Sequence, residues 1–319
     1  ADAIASGDAI AQAPLDQHAE VSNGFAAANG AMLRDGVFIH VPDGVAVETP
    51  VQVLVLSTAS APRAAHPRVL VVVGESAELT TVETYTALRA DTAYFSNLVS
   101  EYAVGDNATL NRYKIIEESA RGEHLESAYL SQGRDANLNA FAMTLTGHIV
   151  RNELNVSLDG PGGQAQLHGL YLNDGDRLTD NFLHVTHAAP NCYSRMAYKG
   201  VLDGTSAAVF TGKVWVKPEG QKTDSNQLNN NLLLSDDATI DTKPQLEIFA
   251  DDVKCTHGAT IGGFPQALRF YFQSRGMTDA MAQAILTYGF ASEIVDEIGV
   301  DALRARLAKY VFDKYSPKS

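Results

Sequence analysis

The chain of 319 residues contains only two cysteines and no long apolar run. Two cysteines cannot build the disulfide framework of a small secreted protein, so the sequence favours a reducing, cytoplasmic setting. The longest apolar run, at residues 51–57, is far shorter than the roughly 20 residues that a membrane-spanning helix needs. We therefore expect no membrane-embedded segment.

Basic residues are scarce as well. The 38 acidic residues outnumber the 24 lysines and arginines, which gives a formal net charge of −14. A chain of this charge repels phosphate backbones, and no local basic patch offsets the repulsion, so nucleic-acid binding is not expected.

Motifs of nucleotide and metal chemistry are missing too. No C-x-x-C, H-E-x-x-H or G-x-S-x-G pattern occurs. The pair Gly212-Lys213 resembles the end of a phosphate-binding loop, but Ala207 replaces its first glycine. Val214 stands where a Ser or Thr would bind Mg²⁺. A nucleotide site in this chain is not expected.

A repeat dominates what the sequence does contain. A Gly/Asp-rich turn, an alanine, a polar residue and an aliphatic residue recur along the chain. The alanines of this repeat are Ala46, Ala77, Ala108, Ala136, Ala165, Ala208 and Ala238. Their spacing is nearly constant, except that the step from Ala165 to Ala208 is longer by about half a period and fits an extra half-turn. A fixed period of about 30 residues indicates a solenoid.

The segments between these turns have strand character. Residues 67–73, 141–150 and 208–216 are rich in β-branched and aromatic side chains and often alternate. Helical spacing is nearly absent between about residues 31 and 262. Two strands per repeat predict a parallel β-helix, in which each turn buries its inward side chains against its neighbours. A β-sandwich also explains short strands, but it does not explain the constant period.

The C-terminal segment, at positions 263–319, changes to helical patterns. In the first of three helices, Leu268, Tyr271 and Phe272 follow i, i+3, i+4 spacing. The second is expected between an N-cap at Thr278 and a C-cap at Gly299. The third carries an apolar stripe, which consists of Leu303, Leu307 and Val311. We divide the chain into an Ala-rich N-terminal remnant (1–30), a β-helix core (31–262) and a helical domain (263–319).

Two stretches hold candidate metal ligands. Cys255 and His257 are two positions apart, so in a strand they share one face, and both side chain types bind iron or zinc. Taken alone, a buried structural role is the commoner reading for such a pair. His184 and His187 are three apart and should lie on opposite faces of a solvated strand, which makes a poor metal pair.

Several long motifs resemble one known family. The run "QKTDSNQLNNNLLLSDDATIDTKPQLEIFADDVKCTHGATIG" (221–262) resembles the signature region of the SufB/SufD family, subunits of the SUF iron–sulfur cluster assembly machinery. "THAAPNCYSRMAYKGVLDG" (186–204), "FYFQSRGM" (270–277) and "AAANGAMLRDGVFIHVPDGV" (26–45) are further matches, and the resemblance spans about residues 26–312. "KCTHGAT" favours a SufD-like over a SufB-like member.

Two features depart from the family pattern. The helical N-terminal domain that is usual in the family is mostly missing. Pro265 and Gln266 stand where the family tends to place acidic residues before its Phe-Tyr pair. The second departure affects the expected detail of the first C-terminal helix.

The resemblance implies a right-handed parallel β-helix with helical terminal domains, and an assembly scaffold rather than an enzyme. The implied partners are a SufB-like subunit, joined through the ends of the β-helices, and a SufC-like ABC ATPase, docked on the C-terminal helices; the isolated chain could form a homodimer.

No cofactor is expected to bind tightly to this chain alone. An iron ion or nascent cluster shared with SufB would use His257 first and Cys255 second. The expected ATPase-binding residues are Leu268, Tyr271, Phe272, Arg275, Leu303, Leu307 and Val311.

Two other functions are compatible with a β-helix. One is a polysaccharide lyase or hydrolase, which needs acids or bases grouped along a groove, and the chain shows no such grouping. The other is a self-associating structural protein.

The fold also makes one prediction about the cysteines. Cys192 and Cys255 are separated by close to two periods of the repeat. Two turns place them roughly 10 Å apart, beyond the about 7 Å between Cα atoms that a disulfide tolerates, so both should be free thiols.

Overall fold

The computed structural model describes residues 23–316 and shows a parallel β-solenoid of about eight turns. The predicted parallel β-helix is therefore confirmed. Most of the expected N-terminal remnant lies outside the described residues, but Gly24–Met32 forms a helix, α1.

Seventeen strands are described within residues 23–316. They are β1 (Gly36–Val41), β2 (Val51–Ser57), β3 (Ala64–Ala65), β4 (Arg68–Val73), β5 (Glu78–Ala87), β6 (Tyr94–Val104), β7 (Thr109–Glu117), β8 (Gly122–Gln132), β9 (Asn137–Thr146), β10 (Ile149–Leu158), β11 (Gln164–Asn173), β12 (Leu178–His187), β13 (Tyr193–Leu202), β14 (Ala207–Val216), β15 (Asp224–Leu233), β16 (Thr239–Ile248) and β17 (Lys254–Gly262). Three helices follow the strands. They are α2 (Gln266–Gln273), α3 (Asp279–Val295) and α4 (Asp301–Tyr315).

The strands form two parallel sheets that alternate along the chain. Sheet A has the order β1-β4-β6-β8-β10-β12-β14-β16, with the short β3 beside β6. Sheet B has the order β2-β5-β7-β9-β11-β13-β15-β17. Each turn of the solenoid contributes one strand to each sheet, so the side chains of alternate residues face either the interior between the sheets or the outside.

The alanines of the repeat lie at the corners where the chain enters a strand. Ala77, Ala108 and Ala136 are buried just before sheet B strands, and Ala165 is buried inside β11. Ala208 and Ala238 instead mark sheet A strands. The longer step between Ala165 and Ala208 thus crosses from one sheet to the other, which confirms the extra half-turn. An alanine suits the corner because a larger side chain would find no room there.

The corners before sheet B also require a left-handed backbone. Among residues 23–316, five residues other than glycine have φ between 52° and 61°, and they are Ser76, Asn107, Asp135, Asn191 and Lys222. This conformation brings Cβ too close to the following carbonyl oxygen and costs roughly 1–2 kcal/mol.

Lys222→Gly is therefore expected to raise the free energy of unfolding by about 0.5–1 kcal/mol, since glycine removes the steric cost at this exposed residue. This value is a net effect, because the relief of steric strain in the folded state exceeds the stabilisation of the unfolded state by the greater backbone freedom of glycine. Urea unfolding followed by circular dichroism measures the change. Lys222→Ala is the control, since it removes the side chain but keeps Cβ. Equal stability of the two variants would contradict the explanation.

The helices cover parts of both outer faces. α1 lies on sheet A, where Ala26 packs with Val99 and Tyr129. α3 and α4 pack on sheet B through an apolar cluster that includes Leu145 and Leu172.

The second C-terminal helix, α3, begins as predicted. The side chain of Thr278 caps it by accepting a hydrogen bond from the amide of Met281. The predicted C-terminal end is wrong, because α3 ends at Val295 rather than at Gly299. The amide of Gly299 instead donates to the hydroxyl of Tyr113 over 3.0 Å, which ties the following turn to sheet B.

The stripe on α4 faces inward. Leu303 is 6% exposed, and Leu307 and Val311 are fully buried against sheet B. This burial argues against the prediction that these three side chains bind an ATPase. Burying them against the sheet's own apolar outer face leaves them no surface to offer a partner.

A network of charges occupies the interior in the N-terminal half. Arg112 donates to Glu83 over 2.9 Å and to Glu126 over 2.6 Å. Lys114 donates to Glu126 and to Asn152, each over 2.7 Å. The four charged side chains are at most 5% exposed. Burial would raise the pKa of Glu126, but the charges of Arg112 and Lys114 outweigh it and hold that pKa below its usual range.

Candidate functional site

The site begins with β17, the last strand of sheet B. Its neighbour is β15, and the register places Cys255 beside Ser225 and His257 beside Gln227. Ser225 and Gln227 are buried in the interior, so Cys255 and His257 extend the same inward-facing columns by one more turn. The predicted shared face is confirmed.

The two side chains differ in exposure. Cys255 is half-buried and packs against the main apolar core, whereas His257 is exposed at the open end of the solenoid. Burial raises the pKa of the Cys255 thiol, and the charge of Asp224 adds to this, although a hydrogen bond with the Ser225 backbone works in the opposite direction. The thiol is therefore protonated at neutral pH, and it must lose that proton before it can bind a metal.

Polar side chains form the floor beneath β17. The Ser194 and Ser225 hydroxyls are hydrogen-bonded over 2.8 Å, and Nε2 of His187 lies 2.9 Å from the Ser194 hydroxyl. Burial lowers the pKa of His187 to about 4, so this ring is neutral at physiological pH. The interior below Cys255 thus holds neutral hydrogen-bonding groups rather than the aliphatic side chains of earlier turns.

The two histidines of β12 point in opposite directions, as predicted. His187 is fully buried, so the expectation that it lies on a solvated surface is wrong. Its inward position follows from the alternation of β12, whose other inward residues are also buried. His184 faces outward and stacks on Trp215 with the ring centroids 6.2 Å apart.

The end of the solenoid at β16 and β17 carries exposed apolar side chains among polar ones. Ile248 is 37% exposed, Phe249 61% and Ile261 50%. Both strands lie at the edge of their sheet, so one side of each has no neighbouring strand within the described part of the chain. An edge of this kind favours pairing with another chain.

α2 follows β17 and has no buried residue. Leu268 is 39% exposed and Tyr271 49%, while Phe272 is half-buried with its ring against that of Tyr271. The guanidinium of Arg275 lies over the Tyr271 ring at 3.6 Å from its centroid. These four predicted partner-binding residues therefore lie together on an accessible surface, unlike the stripe of α4.

Both cysteines are free thiols in the structure, as predicted. Within residues 23–316, no group of three or more His, Cys, Asp or Glu side chains is arranged to hold a metal ion. In the same part of the chain, none of the four helices is long and apolar enough to cross a bilayer.

Sequence reasoning missed the floor of the site. Ser225, Gln227, Asn229 and Asn231 are four polar residues at alternate positions of β15, and all four are buried. Alternation of polar residues normally indicates a solvated face. A signal was present in the outward residues of the strand, because Leu228 and Leu232 make that face the more apolar one and so argue against assigning the polar face to water.

Comparison with known proteins decides the family. A family model described as "SUF system FeS cluster assembly, SufBD core domain" matches residues 55–290, and one described as "SufBD protein N-terminal region" matches residues 4–53. The chain belongs to the SufBD family. This confirms the resemblance found in the sequence.

Several known proteins are similar to most of this chain. A SufBD family protein of Synechocystis is 31% identical over 305 residues, which cover 93% of this chain and 67% of the relative. The iron–sulfur cluster assembly protein SufD of Escherichia coli is 31% identical over 85% of this chain and 61% of its own length. The chloroplastic protein ABCI7 of Arabidopsis thaliana is 30% identical over 89% of this chain and 61% of the relative. The chain thus spans about two thirds or less of the length of these relatives.

Proposed function

We propose that this chain is a SufD-like scaffold subunit of iron–sulfur cluster assembly. It pairs with a SufB-like subunit through the edges of β16 and β17, and it docks a SufC-like ABC ATPase through α2. The observation that carries the proposal is the placement of Cys255 and His257 on one face of a terminal edge strand. Family membership supports it, and a relative from Escherichia coli is named for cluster assembly.

The substrate of the site is an iron ion or a nascent cluster. His257 is the first ligand, because it is exposed and because an imidazole binds iron through a ring nitrogen that carries no proton. Cys255 is the second, since its thiol is protonated and half-buried. Two ligands do not complete a tetrahedral site. The SufB-like partner supplies the others, and no cofactor binds tightly to this chain alone.

The ATPase-docking surface consists of Leu268, Tyr271, Phe272 and Arg275 on and just after α2. Its support is that an amphipathic helix with no buried residue leaves its apolar side chains free to enter a groove of another protein. ATP hydrolysis then belongs to the partner, and this chain acts as a non-catalytic subunit in a cytoplasmic setting.

Two alternative functions are compatible with the β-helix. The family match favours cluster assembly over a polysaccharide-active enzyme. Self-association through the β16 and β17 edges would compete with the SufB-like partner for the same surface, so light scattering of the isolated chain and of the mixture separates a homodimer from the hetero-complex.

His257→Ala is expected to leave the complex with the SufB-like and SufC-like partners intact and to abolish its cluster content. The substitution removes an exposed ligand without disturbing the core. Size-exclusion chromatography measures assembly, and iron and sulfide analysis with absorption spectroscopy measures the cluster. His40→Ala is the matched control, because His40 is exposed on β1 at the opposite end of the solenoid.

Either of two outcomes would contradict the ligand role. Full cluster content in the intact His257→Ala complex removes His257 from the site. Loss of the complex itself shows that His257 shapes the interface instead of binding the cluster.

A further inference from the structure

Gln227 lies one turn below His257 in the same inward-facing column. It is fully buried, and its Nε2 donates to the carbonyl oxygen of Gly212 across the interior over 3.1 Å. Its side-chain oxygen, Oε1, has no hydrogen-bond partner among the described residues. A buried amide oxygen without a donor is costly, so its surroundings require an explanation.

The orientation of this amide is determined by its contacts. Exchanging its oxygen and nitrogen would place Oε1 against the Gly212 carbonyl oxygen, and two acceptors repel each other. Gly212 also makes the position possible, since a Cβ on this residue would lie 2.0 Å from Nε2 of Gln227. Oε1 is therefore the free acceptor of a side chain that is anchored at its other end.

The neighbours of Gln227 along the column leave one source for a donor. In the turn below lies Met196, whose thioether cannot donate a hydrogen bond. In the turn above lies His257, whose imidazole carries an N–H group. Adjacent turns are separated by only about 4.8 Å, which places the ring within reach of the amide.

We infer that Gln227 is a positioning residue for His257. Oε1 has no partner in the part of the chain that the structure describes, and a rotation of the exposed His257 side chain would bring one ring nitrogen to it; the resulting hydrogen bond would hold the proton on that nitrogen. The other ring nitrogen then keeps its lone pair and faces the open end of the solenoid, where iron would bind. Histidine ligands of metals commonly donate their second N–H to such an acceptor. The iron-binding part rests on the proposed function, whereas the hydrogen bond does not.

The tautomer of His257 tests the hydrogen bond directly. The full chain is labelled with ¹⁵N-histidine, and the ring nitrogen shifts of His257 are measured at pH 8.5 after assignment with His257→Asn. Gln227→Met removes the acceptor and nearly keeps the volume. It is expected to change the ratio of the two tautomers about fivefold, the effect of one ordinary hydrogen bond.

Gln132→Met is the matched control. Gln132 is also a buried glutamine with an unpartnered Oε1, but it lies in β8, far along the chain from β17. This variant should leave the His257 tautomers unchanged. An unchanged ratio in Gln227→Met, or an equal change in both variants, would overturn the inference. A wild-type His257 with the tautomer ratio of free histidine would overturn it without any variant.

A second measurement links the hydrogen bond to iron. In the complex with the SufB-like partner, Gln227→Met is expected to weaken iron retention against a chelator by about tenfold or more, and Gln132→Met is not. If His257→Ala keeps the full cluster content, the proposed function fails, and the tautomer ratio still decides the role of Gln227. If the tautomer changes and iron retention does not, the positioning role toward iron is refuted.

Discussion

Lys114→Met is expected to lower the free energy of unfolding by about 3–5 kcal/mol, because it leaves the buried charge network with one uncompensated negative charge. The interior network is balanced, with Glu83 and Glu126 facing Arg112 and Lys114. Without Lys114, Glu126 keeps the Arg112 contact, but this network then carries two carboxylates and one cation. Burial lowers the pKa of Lys114, and the charge of Glu126 works in the opposite direction.

Urea unfolding of the full chain measures this effect. Lys213→Met is the matched control, since Lys213 pairs with Glu247 over 3.0 Å on the surface, with side chains 26% and 44% exposed. An exposed pair contributes at most about 1 kcal/mol. A double variant, Lys114→Met with Glu126→Gln, removes both charges and should be more stable than the sum of its single variants predicts. If Lys114→Met lowers the free energy of unfolding by less than about 1 kcal/mol, the effect is no larger than that of an exposed pair, and the stabilising role of the Lys114 charge is refuted.

The double variant Leu268→Glu, Tyr271→Glu is expected to weaken binding of a SufC-like ATPase by about 100-fold or more, with little change in stability. Exposed apolar anchors of this kind carry most of the energy of a helix-in-groove interface. α2 buries none of its residues, so acidic substitutions there disturb no core. Calorimetric titration with the ATPase measures affinity, and thermal unfolding measures stability.

Phe312→Glu provides the matched control on a different helix. Phe312 of α4 is 57% exposed, so this variant also adds a charge to an exposed apolar side chain. Unchanged binding in the α2 variant together with lost binding in Phe312→Glu would move the docking surface to the outer side of α4.

Removing the whole helical domain is not a suitable test of docking. α3 and α4 cover the apolar outer face of sheet B, and truncation after Gly262 would expose that face to water. Leu307→Ala alone is expected to cost about 2–5 kcal/mol, since the side chain is fully buried. A helical domain that shares its core with the sheet in this way cannot be deleted without weakening the β-helix itself.

The turns and the shared face of Cys255 and His257 could be predicted because they depend on local rules. A corner recurs whenever the chain completes a turn, and its alanine is needed at each recurrence, so the period is visible in the sequence. Two residues that are two positions apart share a face in any strand. Thr278 was recognised as a cap because capping involves residues within one helical turn.

The interior network could not be predicted from the same rules. Arg112 and Lys114 alternate as solvated residues would, and Glu83 and Glu126 lie in other strands. Their pairing depends on which strands stack and in which register, and these are long-range properties. The floor of the site was hidden for the same reason, since Gln227 becomes significant only beneath His257.

The sequence by itself determined the period of the solenoid, the helices at its end and the common face of Cys255 and His257, because each depends on residues close together in the chain. Only the tertiary structure decided which apolar stripe is core and which is surface. The stripes of α2 and α4 have similar spacing, but that of α4 packs against sheet B and that of α2 does not. Periodicity records that a helix has an apolar side; it does not record which surface, in this chain or another, covers it.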